Sequence, residues 1–331
     1  MTRPLSLAPP SGMLTAMKTL GDIGELGLIR RLRARPSDGR GVVVGIGDDC
    51  AVVRPDARAR WDWVLKSDPV IEGVHFLPRT PGVAVGHKAV GRVLSDMAAM
   101  GADPRWALID VVAPAALALA RLLDVYRGAR RLAARYGMAI VGGDVSRGRT
   151  LELHVFGGGV VPRGLAVRRS TARPGDLIYV TGRLGGSLAG RHLRFQPRVA
   201  EGCWLREHGW ATAMIDLSDG LASDLRHMTE ESGVGATVDV ACVPVSAQAR
   251  RMRGPKTAAE HALFDGEDFE LLFTVRPGRQ DSFERAWRRA FRLPCTRIGA
   301  ITRQRGAIEC RGADGECRRL TRRGYEHFRQ G

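Results

Sequence analysis

Ile23, Leu26, Ile29 and Leu32 recur at helical spacing and predict a first helix over 22–34. Short apolar runs at 42–46, 61–66, 106–112, 138–141 and 151–161 predict strands, and the stretches 84–100 and 115–135 between them predict helices. In the first of these two helices Val90, Val93, Leu94, Met97 and Met100 form the apolar stripe. A turn and strand in TARPGDLIYVTG open a second half near Arg163. Its strands are expected at 177–181, 213–216, 236–240, 270–275 and 295–301, and its helices at 219–232 and 280–291. Strands and helices mixed in both halves indicate a two-domain α/β or α+β protein, with an extension over 1–20 and domains over 21–162 and 163–331. No internal repeat and no low-complexity linker interrupts the pattern.

With 331 residues the chain can bury a sizeable core, in keeping with two domains. A formal net charge of +16 raises nucleic acid as a partner. Only four lysines occur (Lys18, Lys66, Lys88 and Lys256), however, and arginine supplies the rest, as in a proteome whose base composition favours Arg codons. The arginines are scattered and lack the aromatic interleaving of single-strand binders, so nucleic acid is the weaker reading and a polyanionic small substrate gains from the same field. Six cysteines without a CxxC pair indicate neither a zinc site nor a disulfide framework, and a reducing cytoplasm fits them. No apolar run is long enough to span a bilayer, and 1–18 lacks the apolar stretch of a signal peptide; Met13 and Met17 offer alternative starts.

Against this background five aspartate-bearing turns stand out: GIGDDC (45–50), KSDPVIEGVHF (66–76), LSDMAAMGADPRW (94–106), VGGDVSR (141–147) and IDLSDGLASDL (215–225). Carboxylates gathered in one place repel unless hard cations neutralise them, and Mg²⁺ held by carboxylates and phosphate oxygens is the common arrangement. Neither a GxxxxGK[ST] loop nor a helix-opening GxGxxG occurs, so phosphate must be held by metals and arginine.

Each turn also has a plainer reading. Asp48 and Asp49 fit a tight hairpin turn with solvated side chains as well as a ligand site. A strand ending at Lys66, Ser67 and Asp68 offers two oxygen ligands, and a bare Asp68 after an apolar run would be costly; His75 and Glu72 can contact a substrate or merely pack. Asp96 borders the helical stripe and needs either a cation or its neighbour Arg92, four residues earlier. Gly142, Gly143 and Asp144 close a strand as a nucleotide or metal site does, or as a simple turn does. Ser218 or Asp219 falls where a helix N-cap belongs, which leaves Asp216 unexplained. Asp265, Glu267 and Asp268 precede a strand, and GYEHF (324–328) brings an aromatic and a histidine near the C-terminus.

Taken in order, GIGDD, EGVHF, LSDMAAMGADPRW, GGD followed by SRG, RPGDLIYVTG, IDLSDGL, GEDFELLF and GYEHF resemble the motifs of the thiamine-monophosphate kinases, a family of the aminoimidazole-ribonucleotide synthetase superfamily. The resemblance runs from about Leu20 to Phe328. It implies an N-terminal ATP- and Mg²⁺-binding domain over 21–162 that pairs strands in a homodimer, and a C-terminal α/β domain over 163–331. It implies direct in-line transfer from ATP to thiamine monophosphate, giving thiamine diphosphate with no covalent catalytic residue. By position it assigns Asp49, Ser67, Asp68, Asp96, Asp144, Asp216 and Asp219 to several magnesium ions. Gly143, Asp144, Arg169 and Ser218, with Tyr126 close by, fall to ATP, and His75, Glu267 and Tyr325 to the substrate.

Three departures from that resemblance stand out. Lys66 replaces the usual Ser or Thr beside the metal-binding Asp, so an ammonium is expected to displace a magnesium. Asp265 replaces the first glycine of GGED and is expected to add charge near the substrate. Gly190 runs directly into Arg191 where a longer stretch is usual. The alternatives are another ATP-using enzyme of the superfamily with a different phosphate acceptor and, from another class, a basic nucleic-acid-binding protein. No Cys precedes Cys50, which disfavours a selenide-activating type.

Overall fold

The computed structural model describes residues 19–33, 39–312, 316–321 and 324–325. Met13, Met17, most of the 1–20 extension and Glu326 to Phe328 of GYEHF lie outside the described residues. In chain order the first half comprises α1 (Leu20–Arg33), β1 (Val42–Val44), β2 (Ala51–Val53), β3 (Trp61–Ile71), α2 (Gly82–Ala99), β4 (Asp103–Ala113), α3 (Leu119–Arg135), β5 (Ala139–Gly142), β6 (Val145–Arg147) and β7 (Glu152–Pro162). The second comprises β8 (Leu177–Thr181), α4 (Val199–Glu207), β9 (Ala213–Asp216), α5 (Leu221–Ser232), β10 (Gly235–Asp239), α6 (Ala247–Arg251) and α7 (Ala258–Phe264). It continues with β11 (Leu271–Val275), α8 (Gln280–Ala290), β12 (Cys295–Thr302), β13 (Ile308–Arg311) and β14 (Cys317–Arg319).

Each half builds one sheet. The first runs β1-β2-β3-β7-β4-β5, with β6 also on β4, and the second runs β14-β13-β10-β12-β8-β11-β9. Pairing is antiparallel except at β4–β5, β4–β6 and β10–β13, so the fold is of the α+β kind, with helices packed on mostly antiparallel sheets. No described helix is long and apolar enough to cross a membrane.

β3 does not end at Asp68 as its polar residues predict; it pairs with β7 from Trp61 to Ile71. Its other neighbour, β2, covers only Trp63 to Leu65, so Pro69 sits where no second strand needs its missing N–H. Alternation along β3 buries Asp62, Val64 and Asp68 on one face and exposes Trp61, Trp63 and Ser67 on the other. The inner face receives α2, whose predicted stripe is buried: Val90, Val93, Leu94, Met97 and Met100 all have no solvent exposure.

α2 is the pivot of the molecule, since it packs on α3, β3 and β7 and also on α4 and β9 of the second half. Glycines make the closest of these approaches possible: a Cβ on Gly86 would lie 1.8 Å from the Val125 carbonyl oxygen, and one on Gly128 2.0 Å from that of Val83. One hydrophobic core therefore extends from Val52, Val93 and Met97 into Tyr179, Leu205, Phe273 and Trp287 across both halves. A second lies under α5 and α7. Among the described residues nothing covers the opposite face of the first sheet, where Trp61, Trp63, Trp106, Leu108 and Phe156 are each at least 40% exposed.

Several elements escape the hydrophobic pattern: the short β6, β13 and β14 and the helices α4, α6 and α7. α7 did carry a readable start, because Thr257 and Glu260 form a reciprocal capping box.

Candidate active site

A cavity of about 710 Å³ opens between α1, the β1–β2 turn, β3, α2, β9 and the start of α5. The β1–β2 connection is indeed a hairpin, yet its aspartates turn inward. Arg169 explains why: its side chain donates to Asp49 Oδ1 and its backbone N–H to Asp48 Oδ1 at 3.4 Å. Asp96 arrives from α2 and Asp216 from the end of β9. Carboxylate oxygens of Asp49, Asp96 and Asp216 thus lie within 4.8 Å of one another, all three residues being buried. Lys66 Nζ lies 2.9 Å from Asp96 Oδ1, and the Ser95 hydroxyl donates to Asp216 Oδ2 at 2.6 Å.

Burial drives all three carboxyls upward, Asp49 to about 7, Asp96 to about 8 and Asp216 to about 7. At Asp96 the charges of Asp216 and Asp68 add to the burial while Lys66 opposes it. Asp49 Oδ2 is buried with no hydrogen-bond partner among the described residues. Hard oxygen donors, a shortage of positive charge and an unsatisfied carboxylate oxygen together fit Mg²⁺ far better than a softer metal. Asp49, Asp96 and Asp216 are the residues that can hold it.

A chain of ion pairs leads from this cluster to the other end of the cavity. Arg92 grips Asp68 with two bonds, at 2.9 and 3.1 Å, and reaches Glu267 Oε1 at 3.3 Å. Lys88, with no solvent exposure, donates to Glu267 Oε2 at 2.7 Å and to the His75 carbonyl at 2.5 Å. Arg92 is therefore not the partner of Asp96, as helical spacing allowed; facing Asp68 and Glu267 at once, it leaves Asp96 to Lys66. Glu267 is held at a positive φ of 64°, a conformation costly for a side chain with a Cβ and kept here by the two cations. The Ile71 N–H donates to His75 Nδ1 at 3.1 Å, which leaves the ring proton on Nε2.

The start of α5 also differs from expectation. Neither Ser218 nor Asp219 caps it; Gly220 occupies the N-cap at φ 102° without a side-chain bond. A Cβ there would lie 2.9 Å from the Asp265 carbonyl oxygen, so the tight passage selects glycine and displaces the capping role. The Asp219 N–H is instead satisfied by Asp224 Oδ2 at 3.1 Å. Asp219 itself lines the cavity, its acid pushed up to about 6 chiefly by burial, and shares a second possible ligand cluster with Asp224 and His227.

Of the residues assigned by resemblance, Asp49, Asp68, Asp96, Arg169, Asp216, Ser218, Asp219, His75 and Tyr325 line this one cavity. Glu267 stands behind it, tied to Lys88 and Arg92. Ser67 points to the outer sheet face because it alternates with Lys66 and Asp68. Gly143 and Asp144 sit exposed between β5 and β6, and Tyr126 lines a separate hollow with Leu122, Leu123, Arg127 and Arg130. One copy of the chain does not bring these four to the cluster.

Asp265 adds no net charge to the cavity. It is 8% exposed and bound by Lys256 at 2.9 Å and His261 at 2.7 Å. Where Gly190 meets Arg191, two short 3₁₀ turns replace any longer insertion, and Arg191 pairs with Asp268 at 2.6 Å. Sequence reasoning missed Lys88 as a site residue. Its signal was a lysine within the otherwise apolar GVAVGHKAVGRVL, one helical turn before Arg92.

Two sheet-bearing halves joined through α2, with carboxylates from both meeting at the joint, define the class. Residues 47–161 match the N-terminal domain of AIR synthase related proteins and residues 173–311 match their C-terminal domain. Within that class the chain belongs to the thiamine-monophosphate kinase family. It is 38% identical to thiamine-monophosphate kinase of Escherichia coli K12, over 92% of this chain and 98% of that protein. The structure of AaThiL complexed with AMPPCP and TMP aligns at a TM-score of 0.81 and 30% identity, covering 95% of this chain and all of that one. Thiamine-monophosphate kinase from Stenotrophomonas maltophilia K279a aligns at 0.72 and 36% identity, covering 88% of this chain and 96% of that one.

Proposed function

We propose that this chain transfers the terminal phosphoryl group of ATP directly to the phosphate of thiamine monophosphate, forming thiamine diphosphate. The convergence of Asp49, Asp96 and Asp216 with Arg169 at one end of a single cavity carries this reading. The attacking oxygen belongs to a phosphate already ionised at neutral pH, so no general base is needed and the protein's task is to position and to neutralise charge. Arg169, a half-buried guanidinium beside Asp49, faces the transferred group and stabilises charge on its oxygens. His75 and Tyr325 on the cavity wall, with Glu267 behind them, orient the acceptor. Asp49, Asp96 and Asp216, with Asp68 and Asp219 nearby, would hold Mg²⁺, which would supply positive charge to the phosphate chain.

Ser67, Gly143, Asp144 and Tyr126 enter through a homodimer. The uncovered face bearing Trp61, Trp63, Trp106 and Phe156 is too apolar to remain in water, and a second copy laid on it buries the aromatic residues and covers Ser67. Gly143 and Asp144 of one copy then reach ATP bound at the other. Six free cysteines fit a reducing cytoplasm. The test is a coupled assay with purified protein, ATP, Mg²⁺ and thiamine monophosphate: thiamine diphosphate is expected, and its absence refutes the reading.

A further inference from the structure

A lysine stands inside the carboxylate cluster. Lys66 leaves the inner face of β3 beside Asp68, lines the cavity and places Nζ 2.9 Å from Asp96 Oδ1. Its positive charge acts on Asp49 and Asp216 as well as on Asp96. An ammonium bonded to a carboxylate oxygen takes one of its lone pairs and repels a divalent cation from that oxygen. Asp49 Oδ2, by contrast, is buried and unpartnered, so one place for a metal is left beside the lysine.

We propose that Lys66 is a built-in cation that takes the place of one divalent ion, so that this site loads one metal fewer than its carboxylates would otherwise accept. The proposal rests on the metal-assisted phosphoryl-transfer reading above. The lysine is tethered, whereas a divalent ion must be drawn from solution, so the charge it supplies to Asp96 is independent of free Mg²⁺. A lysine serving only as a structural counter-ion would leave the metal count unchanged when replaced.

Counting bound Mn²⁺ separates these cases. With the intact protein, a non-hydrolysable ATP analogue and saturating Mn²⁺, electron paramagnetic resonance of the free ion gives the number bound per chain. Lys66→Ser, which removes the charge and leaves an oxygen, is expected to bind one more Mn²⁺ than wild type, while Lys66→Arg, which keeps the charge, is expected to match wild type. Equal counts for wild type and Lys66→Ser overturn the proposal. Wild-type crystals grown in Mn²⁺ give a second answer that needs no variant to fold. Anomalous density is expected on Asp49 with Lys66 still bound to Asp96; a Mn²⁺ on Asp96 Oδ1 with the lysine displaced overturns it. Neither measurement uses thiamine monophosphate, so a failed kinase assay with the expected Mn²⁺ counts strikes the acceptor assignment alone.

Discussion

Asp96→Asn separates a catalytic carboxylate from a structural one. The amide keeps the shape and removes a charge that lies within 4.8 Å of Asp49 and Asp216 and 2.9 Å from Lys66. With an effective dielectric of about 20, each carboxylate repulsion relieved is worth roughly 3 kcal/mol and the lost attraction to Lys66 roughly 6 kcal/mol, so the changes largely cancel. Burial pushes the Asp96 acid up to about 8, so without metal its charge is held at a cost that the neutral amide does not carry. The metal-free variant should melt within about 5 °C of wild type, a stability change of order 1–2 kcal/mol. Turnover should fall by about 10²- to 10³-fold, as when one preorganised electrostatic group is removed from a transition state. Paired melting curves and the coupled kinase assay measure both quantities. Undiminished turnover would show that Asp96 is merely the counter-ion of Lys66, and a collapse of the metal-free fold would show that the charges do not cancel.

Removing metal should reverse the usual pH trend. Asp49, Asp96 and Asp216 ionise near 3.8 when unfolded but hold protons to about 7, 8 and 7 when folded, so the metal-free protein should lose stability as pH rises from about 4 through 8. Melting curves in EDTA and in Mg²⁺ test this: the gain from Mg²⁺ should grow across that range, and a gain independent of pH contradicts it. Lys88→Met should leave Glu267 held by Arg92 alone and loosen the acceptor end, raising the KM for thiamine monophosphate about tenfold or more with a smaller change for ATP; equal changes for both would place Lys88 elsewhere in the reaction. Trp63→Glu with Trp106→Glu, on adjacent exposed rings 5.9 Å apart, should give monomers by light scattering and remove most activity. Active monomers would show that one copy holds a complete site.

α2 was legible from its apolar stripe and the central strands from short continuous apolar runs buried on both faces: α2, β8, β9 and β11 fall within about two residues of where the pattern put them. What periodicity cannot show is pairing between distant residues. Lys88 and Glu267 are 179 positions apart, and nothing local to either predicts the other. Local rules also misled at particular points. Helical spacing offered Arg92 to Asp96, but Arg92 is claimed by Asp68 across the sheet–helix interface. Capping preference offered Ser218 or Asp219 to α5, but the passage against Asp265 admits only Gly220. The inward turn of Asp48 and Asp49 depended on Arg169, from beyond the end of the first sheet. For the cavity residues, ordered motifs carried what periodicity could not, because each motif marks a turn that the fold brings to the same joint.

That joint also explains how a strongly basic chain comes to hold a cluster short of positive charge. Most arginines lie on the surface, where solvent and salt screen them, while the acids Asp48, Asp49, Asp68, Asp96, Asp216, Asp219 and Glu267 outnumber the cations Lys66, Lys88, Arg92 and Arg169 with which they pair. Those cations are unevenly placed. Lys88 and Arg92 engage Glu267 at the acceptor end and Arg92 also grips Asp68 between the two ends, whereas Asp49 keeps an oxygen unpaired among the described residues and Asp216 accepts from the Ser95 hydroxyl. The unneutralised charge is therefore concentrated at one end of the cavity. Divalent ions and the phosphates they accompany are drawn there, and the acceptor end, already neutral, is free to select its ligand by shape and hydrogen bonding. Because Arg92 touches both Asp68 and Glu267, filling one end bears directly on the geometry of the other.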